Sequence, residues 1–84
     1  MSSLTFLKNI GPQSARWLES VGIDSAEKFF DRGVVETYRL VKDAYPNRVS
    51  LNLLYALQGA YMNLNLNDLP PEIKSDLLSQ LGDH

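Results

Sequence analysis

Residues 8–16 read KNIGPQSAR, and their types and spacing could do chemistry. An apolar tip, Ile10, is followed by Gly11 and Pro12, with Lys8 and Arg16 on either side. A tight turn entering a helix points backbone N–H groups outward at the positive end of the helix dipole, which suits a phosphate oxygen. Lys8, Asn9, Ile10, Gly11, Gln13 and Arg16 are therefore the candidate nucleic-acid-binding residues. DNA held this way is read by its backbone, so binding would be weak and independent of base sequence. The competing expectation is that the same turn is a rigid joint between two helices, with Ile10 plugged into the core.

Little else in the chain could carry a reaction. The single histidine is His84, the last residue, and there is no cysteine, so neither a Ser–His arrangement nor a thiolate metal site can be assembled on a rigid element. Glu19, Glu27, Glu36 and Asp43 fit solvated helix faces, and no P-loop or nucleophile elbow is present. These features predict a protein that is not an enzyme, with no cofactor, metal or small-molecule substrate. No run approaches the roughly 18 consecutive apolar residues that span a bilayer, and Met1-Ser2-Ser3 leads into no signal-like segment. The expectation is a cytoplasmic protein with no membrane partner.

The elements that must position the turn read as helices. Prolines fall only at 12, 46, 70 and 71, and no segment alternates with period two. Leu4 and Leu7 supply the inner face of a first helix, and Gly11 is expected to turn the backbone where a β-carbon would clash, so that Gly11→Val destabilises the fold. Pro12 starts the next helix, Ala15, Leu18 and Val21 follow at helical spacing, and Gly22 closes it in a left-handed conformation with Ile23 packing back. Together these make a helix-hairpin-helix-like unit. DNA-binding versions of that hairpin carry glycine on both sides of the tip, where this chain has Asn9. Pro12 also removes an N–H, and Gln13 stands where a lysine or arginine would add charge.

Ser25 is a plausible N-cap for a short helix to about residue 31, ended by Gly33. Val34, Tyr38, Val41 and Tyr45 mark a third helix, broken by Pro46-Asn47. Ser50 can cap the next segment, LNLLYALQGAYMNL, which is apolar nearly all round, as in a central buried helix. Its strip of small or polar residues, Asn52, Ala56, Gly59 and Asn63, leaves room for another backbone. After Pro70-Pro71, Ile73, Leu77, Leu78 and Leu81 form the stripe of a lid helix, with Asp76 outward. The fold class is all-α: one compact domain over residues 1–84, of about five to six short helices.

Among 84 residues, 44% are hydrophobic and 21% charged, as in ordinary globular proteins, and the net charge is -2. Seven basic residues lie in the first 48 positions, whereas Lys74 alone faces four acids after that. Interspersed signs such as Glu27-Lys28 and Asp31-Arg32 favour a plain solvated face over a strongly polarised one. Trp17, Phe30, Tyr38 and Tyr61 could meet a protein partner, although aromatics on helical stripes in a chain this short are expected in the core. Trp17 is ambiguous, lying beside the Ala15/Leu18 stripe with an N–H that needs a partner. A monomer or weak dimer is expected.

LKNIGPQSARWLESVGI, GVVETYRLVK, SLNLLYALQGAY and LNDLPPEIKSDLL, in that order, closely resemble the C-terminal domain of the TfoX/Sxy competence-regulator family, from about Leu4 to Leu81. The SLNLLYALQGA helix followed by DLP is the most specific part. The resemblance implies a bacterial cytoplasmic protein that regulates DNA-transformation genes as a transcriptional co-activator. Its partners would be DNA, or RNA polymerase or a DNA-bound activator for which the domain is an adaptor. Family members often carry a separate N-terminal α/β domain, so these residues would be either an excised C-terminal domain or a stand-alone relative. Members commonly have a tryptophan just before the Leu-Pro turn, for which Leu66 stands here.

Overall fold

In the computed structural model, residues 3–81 are described. A 3-10 turn, Ser3–Phe6, leads through the hairpin tip into α1 (Pro12–Ser20), followed by α2 (Ala26–Arg32), α3 (Val34–Ala44) and α4 (Leu51–Met62). A second 3-10 turn, Leu66–Asp68, precedes α5 (Pro71–Leu81). The described residues contain no strand, as the period of the apolar residues requires.

Local signals set the helix ends. Ser25 Oγ accepts from the Lys28 N–H at the start of α2, and Ser50 Oγ accepts from the Asn52 N–H at the start of α4. Gly22, at φ 90°, closes α1: its N–H reaches the Glu19 carbonyl and that of Ile23 reaches the Leu18 carbonyl. Ile23 is thereby folded into the core at 1% exposure, and fully burying such a side chain is worth about 2 kcal/mol.

α3 and α4 form the central pair. α3 touches α1, α2, α4 and α5, while α4 also packs on the second 3-10 turn. Leu53, Leu54, Ala56, Leu57, Gly59 and Ala60 are all buried, so α4 is covered on most sides, as its composition predicts. The small-residue strip does admit another backbone. At Gly59 a β-carbon would collide with Asn9 Nδ2 and would stand 2.6 Å from the Leu64 carbonyl oxygen.

Several expectations are corrected. The first arm of the hairpin is a single 3-10 turn rather than an α-helix, although Leu4 is fully buried as expected. Gly11 has an ordinary extended backbone, φ −92°, with open space where a β-carbon would go; Asn9, at φ 69°, makes the left-handed turn. Steric need for glycine at position 11 is therefore absent. Leu78 is exposed, because the buried stripe of α5 is centred on Leu77 with Ile73 and Leu81 half-buried. Phe30 and Tyr61 lie outside the core at 44% and 47% exposure, whereas Tyr38 is inside it.

Candidate nucleic-acid interface

The six candidate residues divide by direction. Ile10 is buried and plugs the turn into the core, as its apolar side chain demands. Asn9 also points inward. Its Nδ2 donates to the Leu64 carbonyl at 2.9 Å and more weakly to the Ala56 carbonyl at 3.4 Å, while its Oδ1 accepts from the Leu66 N–H at 3.0 Å. One amide thus bolts the hairpin tip to α4 and to the turn that follows it. Lys8, Gly11, Gln13 and Arg16 face solvent. Pro12 opens α1, and Gly11 at its N-cap supplies no side-chain cap, so the first turn of the helix keeps N–H groups without intrahelical partners.

The charges around this turn differ from those elsewhere. Lys28 is paired with Asp24 at 3.0 Å, and Arg32 with Glu36 at 3.7 Å. The Asp24 carboxyl is held below its ordinary pKa by the Lys28 hydrogen bond and then by its charge. Arg39 donates to the carbonyls of Gln80 and Leu81, Lys42 to those of Pro46 and Val49, and Lys74 sits 5.3 Å over the Tyr55 ring. That leaves Lys8, Arg16 and Arg48 without a partner among the described residues. Lys8 is on the hairpin, Arg16 on α1, and Arg48 on the α3–α4 loop, where it borders the same cleft as Asn9 and Ser14.

Arg48 is the residue that the sequence pattern left unmarked. It follows Pro46-Asn47 in an ordinary turn, and only the tertiary fold carries it to the hairpin. Trp17 borders that cleft too, half-buried, with its ring centroid 5.9 Å from that of Tyr45. Ser20 Oγ lies 2.8 Å from both the Trp17 carbonyl and the Tyr45 hydroxyl; since the serine proton goes to the carbonyl, the tyrosine donates to the serine. Leu66, which stands where a family tryptophan is common, is half-buried at the edge of the same cleft. Of the outward aromatics, Phe6 ends the first 3-10 turn at 84% exposure, whereas Phe30 on α2 and Tyr61 on α4 meet at 5.4 Å.

Among the described residues, no group of three or more His, Cys, Asp or Glu side chains could hold a metal ion, and no helix is long and apolar enough to cross a membrane.

Comparison with known proteins agrees with this architecture. No protein of curated function matches the chain. A crystal structure of an uncharacterized protein from Listeria monocytogenes superposes with a TM-score of 0.86, at 28% identity over 96% of each chain. The profile of the TfoX C-terminal domain matches residues 1–81, which take in the bolted hairpin, the central α3–α4 pair and α5. A match of that extent, on a helical order that the sequence signals themselves explain, makes this chain a member of the TfoX C-terminal domain family.

Proposed function

We propose that this domain is a non-enzymatic regulator of DNA-transformation genes, acting as a transcriptional co-activator in the cytoplasm, and that its hairpin face contacts the DNA backbone. The observation that carries this reading is the distribution of free charge. Five of the eight basic side chains are tied up internally, and the three left over are on the hairpin, on α1 and on the loop beside them. Phosphate contact needs cations that are not already neutralised, together with outward N–H groups. Asn9 and Ile10 support the interface from behind rather than touching DNA; Lys8, Gln13, Arg16 and the start of α1 form its surface.

Three cations make a weak binder. Neutralising three phosphates gives a slope of about −2.7 in log K against log salt, or about 40-fold weaker binding between 50 and 200 mM salt. Fluorescence anisotropy of a labelled duplex of arbitrary sequence tests this. Salt-sensitive binding that Lys8→Glu weakens supports the reading, and no binding at low salt refutes it.

A second reading, in which the domain is an adaptor docking on RNA polymerase or a DNA-bound activator, is favoured by one observation. Phe30 and Tyr61 meet across α2 and the end of α4 at 44% and 47% exposure, and Met62, next in the chain to Tyr61, is 39% exposed. Contiguous exposed apolar surface of this kind is typical of protein contact sites. Phe30→Ser with Tyr61→Ser should leave DNA binding intact and remove activation if the patch is the working surface.

A further inference from the structure

Contact with a duplex backbone would leave one feature of the hairpin face empty. Between α1, the α3–α4 loop and the first turn of α4 lies a cleft of about 210 Å³, lined by Ser14, Trp17, Arg48 and Asn52 over a floor of Leu53 and Ala56. Two larger clefts exist among the described residues, but their cations are occupied. In one, Arg39 and Lys42 donate to backbone carbonyls beside Asp43; in the other, Arg32 pairs with Glu36. The Trp17 cleft is lined by no carboxylate, and its guanidinium is free. The Trp17 indole, braced by Tyr45, makes no side-chain hydrogen bond among the described residues.

We propose that this cleft takes one unpaired nucleotide, with the base against the Trp17 indole and the phosphate on the Arg48 guanidinium, so that the domain prefers single-stranded DNA to duplex. The proposal rests on the reading of the hairpin face as a DNA contact and adds the form of DNA it selects. An aromatic ring beside a free arginine is the chemistry that holds unstacked bases, and it tolerates any base because every base has a π-face. Bases within a duplex are stacked on their neighbours and cannot enter. The cleft is smaller than the ~300 Å³ at which pockets begin to enclose whole small molecules, so it matches one planar ring rather than a cofactor. Ser14 and Asn52 offer hydrogen-bonding groups at its rim, and Lys8 and Arg16 lie along the adjoining surface for the neighbouring phosphates.

Trp17 is the sole tryptophan, so its emission reports on the cleft alone. The experiment titrates a short mixed-sequence strand, alone and paired with its complement, at low salt, reading anisotropy and Trp17 emission. The expected result is binding of the single strand at least about tenfold tighter than the duplex, with Trp17 emission changed by the single strand only. Arg48→Gln, at an exposed side chain that holds nothing else, should remove most of that preference with an unchanged melting temperature, whereas Lys8→Glu should weaken both forms alike. Equal binding of the two forms, or tighter binding of the duplex, overturns the cleft proposal while the hairpin reading stands. Binding of neither form overturns both.

Discussion

Asn9 and Asn63 both hold a left-handed backbone, at φ 69° and 59°, yet they close their turns by different means. Asn63 ends α4 and lies exposed; its backbone N–H reaches the Ala60 carbonyl, and the next residue's N–H reaches Gly59. Its work is done by φ and ψ, and its side chain is incidental. Asn9 uses the same conformation to aim its amide into the molecule, where it satisfies two carbonyls and one N–H from residues distant in sequence. The difference shows that tolerance of positive φ is only half of what asparagine offers at a turn. At the hairpin, the amide converts a flexible tip into a platform fixed to the central helix.

Substitutions can break this contrast, beginning with the largest effect. Asn9→Ala should cost about 3 kcal/mol, because partly buried partners are stranded and the new residue resists the left-handed backbone. That corresponds to a fall in melting temperature of more than about 10 °C in a domain this small. Asn9→Gly should keep the turn but lose the bolts, at about 2 kcal/mol. Gly59→Ala attacks the same joint from the other side. Its β-carbon would force the Leu64 carbonyl away from Asn9, and a loss of about 1–3 kcal/mol is expected by chemical denaturation. Asn63→Gly, by contrast, should change stability by no more than about 0.5 kcal/mol, since no side-chain bond is lost. If Asn9→Gly and Asn63→Gly prove equally mild, the bolt contributes nothing.

Two smaller effects sharpen the picture. Gly11→Val should be close to neutral in thermal melts, within about 0.5 kcal/mol, because the backbone there is extended and the space is open. Burial raises the Tyr38 hydroxyl above its ordinary pKa of 10.0. The unfolded chain therefore gives up that proton first. Stability should hold up to about pH 10 and decline as pH rises through the raised value, which a urea melt series at alkaline pH would follow.

Much of the architecture was legible in residue patterns, for reasons these positions illustrate. Ser25, Ser50, Gly22 and Gly33 act on their own neighbours, so a helix end can be read from a few consecutive residues. Gly59 was legible as a place of close approach because it lies on a strip with Ala56. What approaches it was not, since Asn9 is 47 positions or more from its partners. The turn at Ile10-Gly11 pointed to glycine as the strained residue, whereas tertiary bonds assign that role to Asn9. Of the candidate interface, Lys8, Gln13 and Arg16 could be named from the hairpin pattern. Arg48 and the cleft beside Trp17 could not, because they are assembled by the packing of α1 against the α3–α4 loop. Phe30 and Tyr61 were expected in the core on composition, but the core takes Phe29 and Tyr38, with Trp17, Tyr45 and Tyr55 packed at its edge.

The proposed function requires the bolted hairpin to present free cations to a DNA backbone. Mapping amide chemical shifts of the labelled domain while a short duplex of arbitrary sequence is added tests it most directly. Shifts gathered on residues 8–16 and around Arg48, fading as salt rises, are the predicted result. Shifts gathered around Phe30 and Tyr61, or none at low salt, would contradict it.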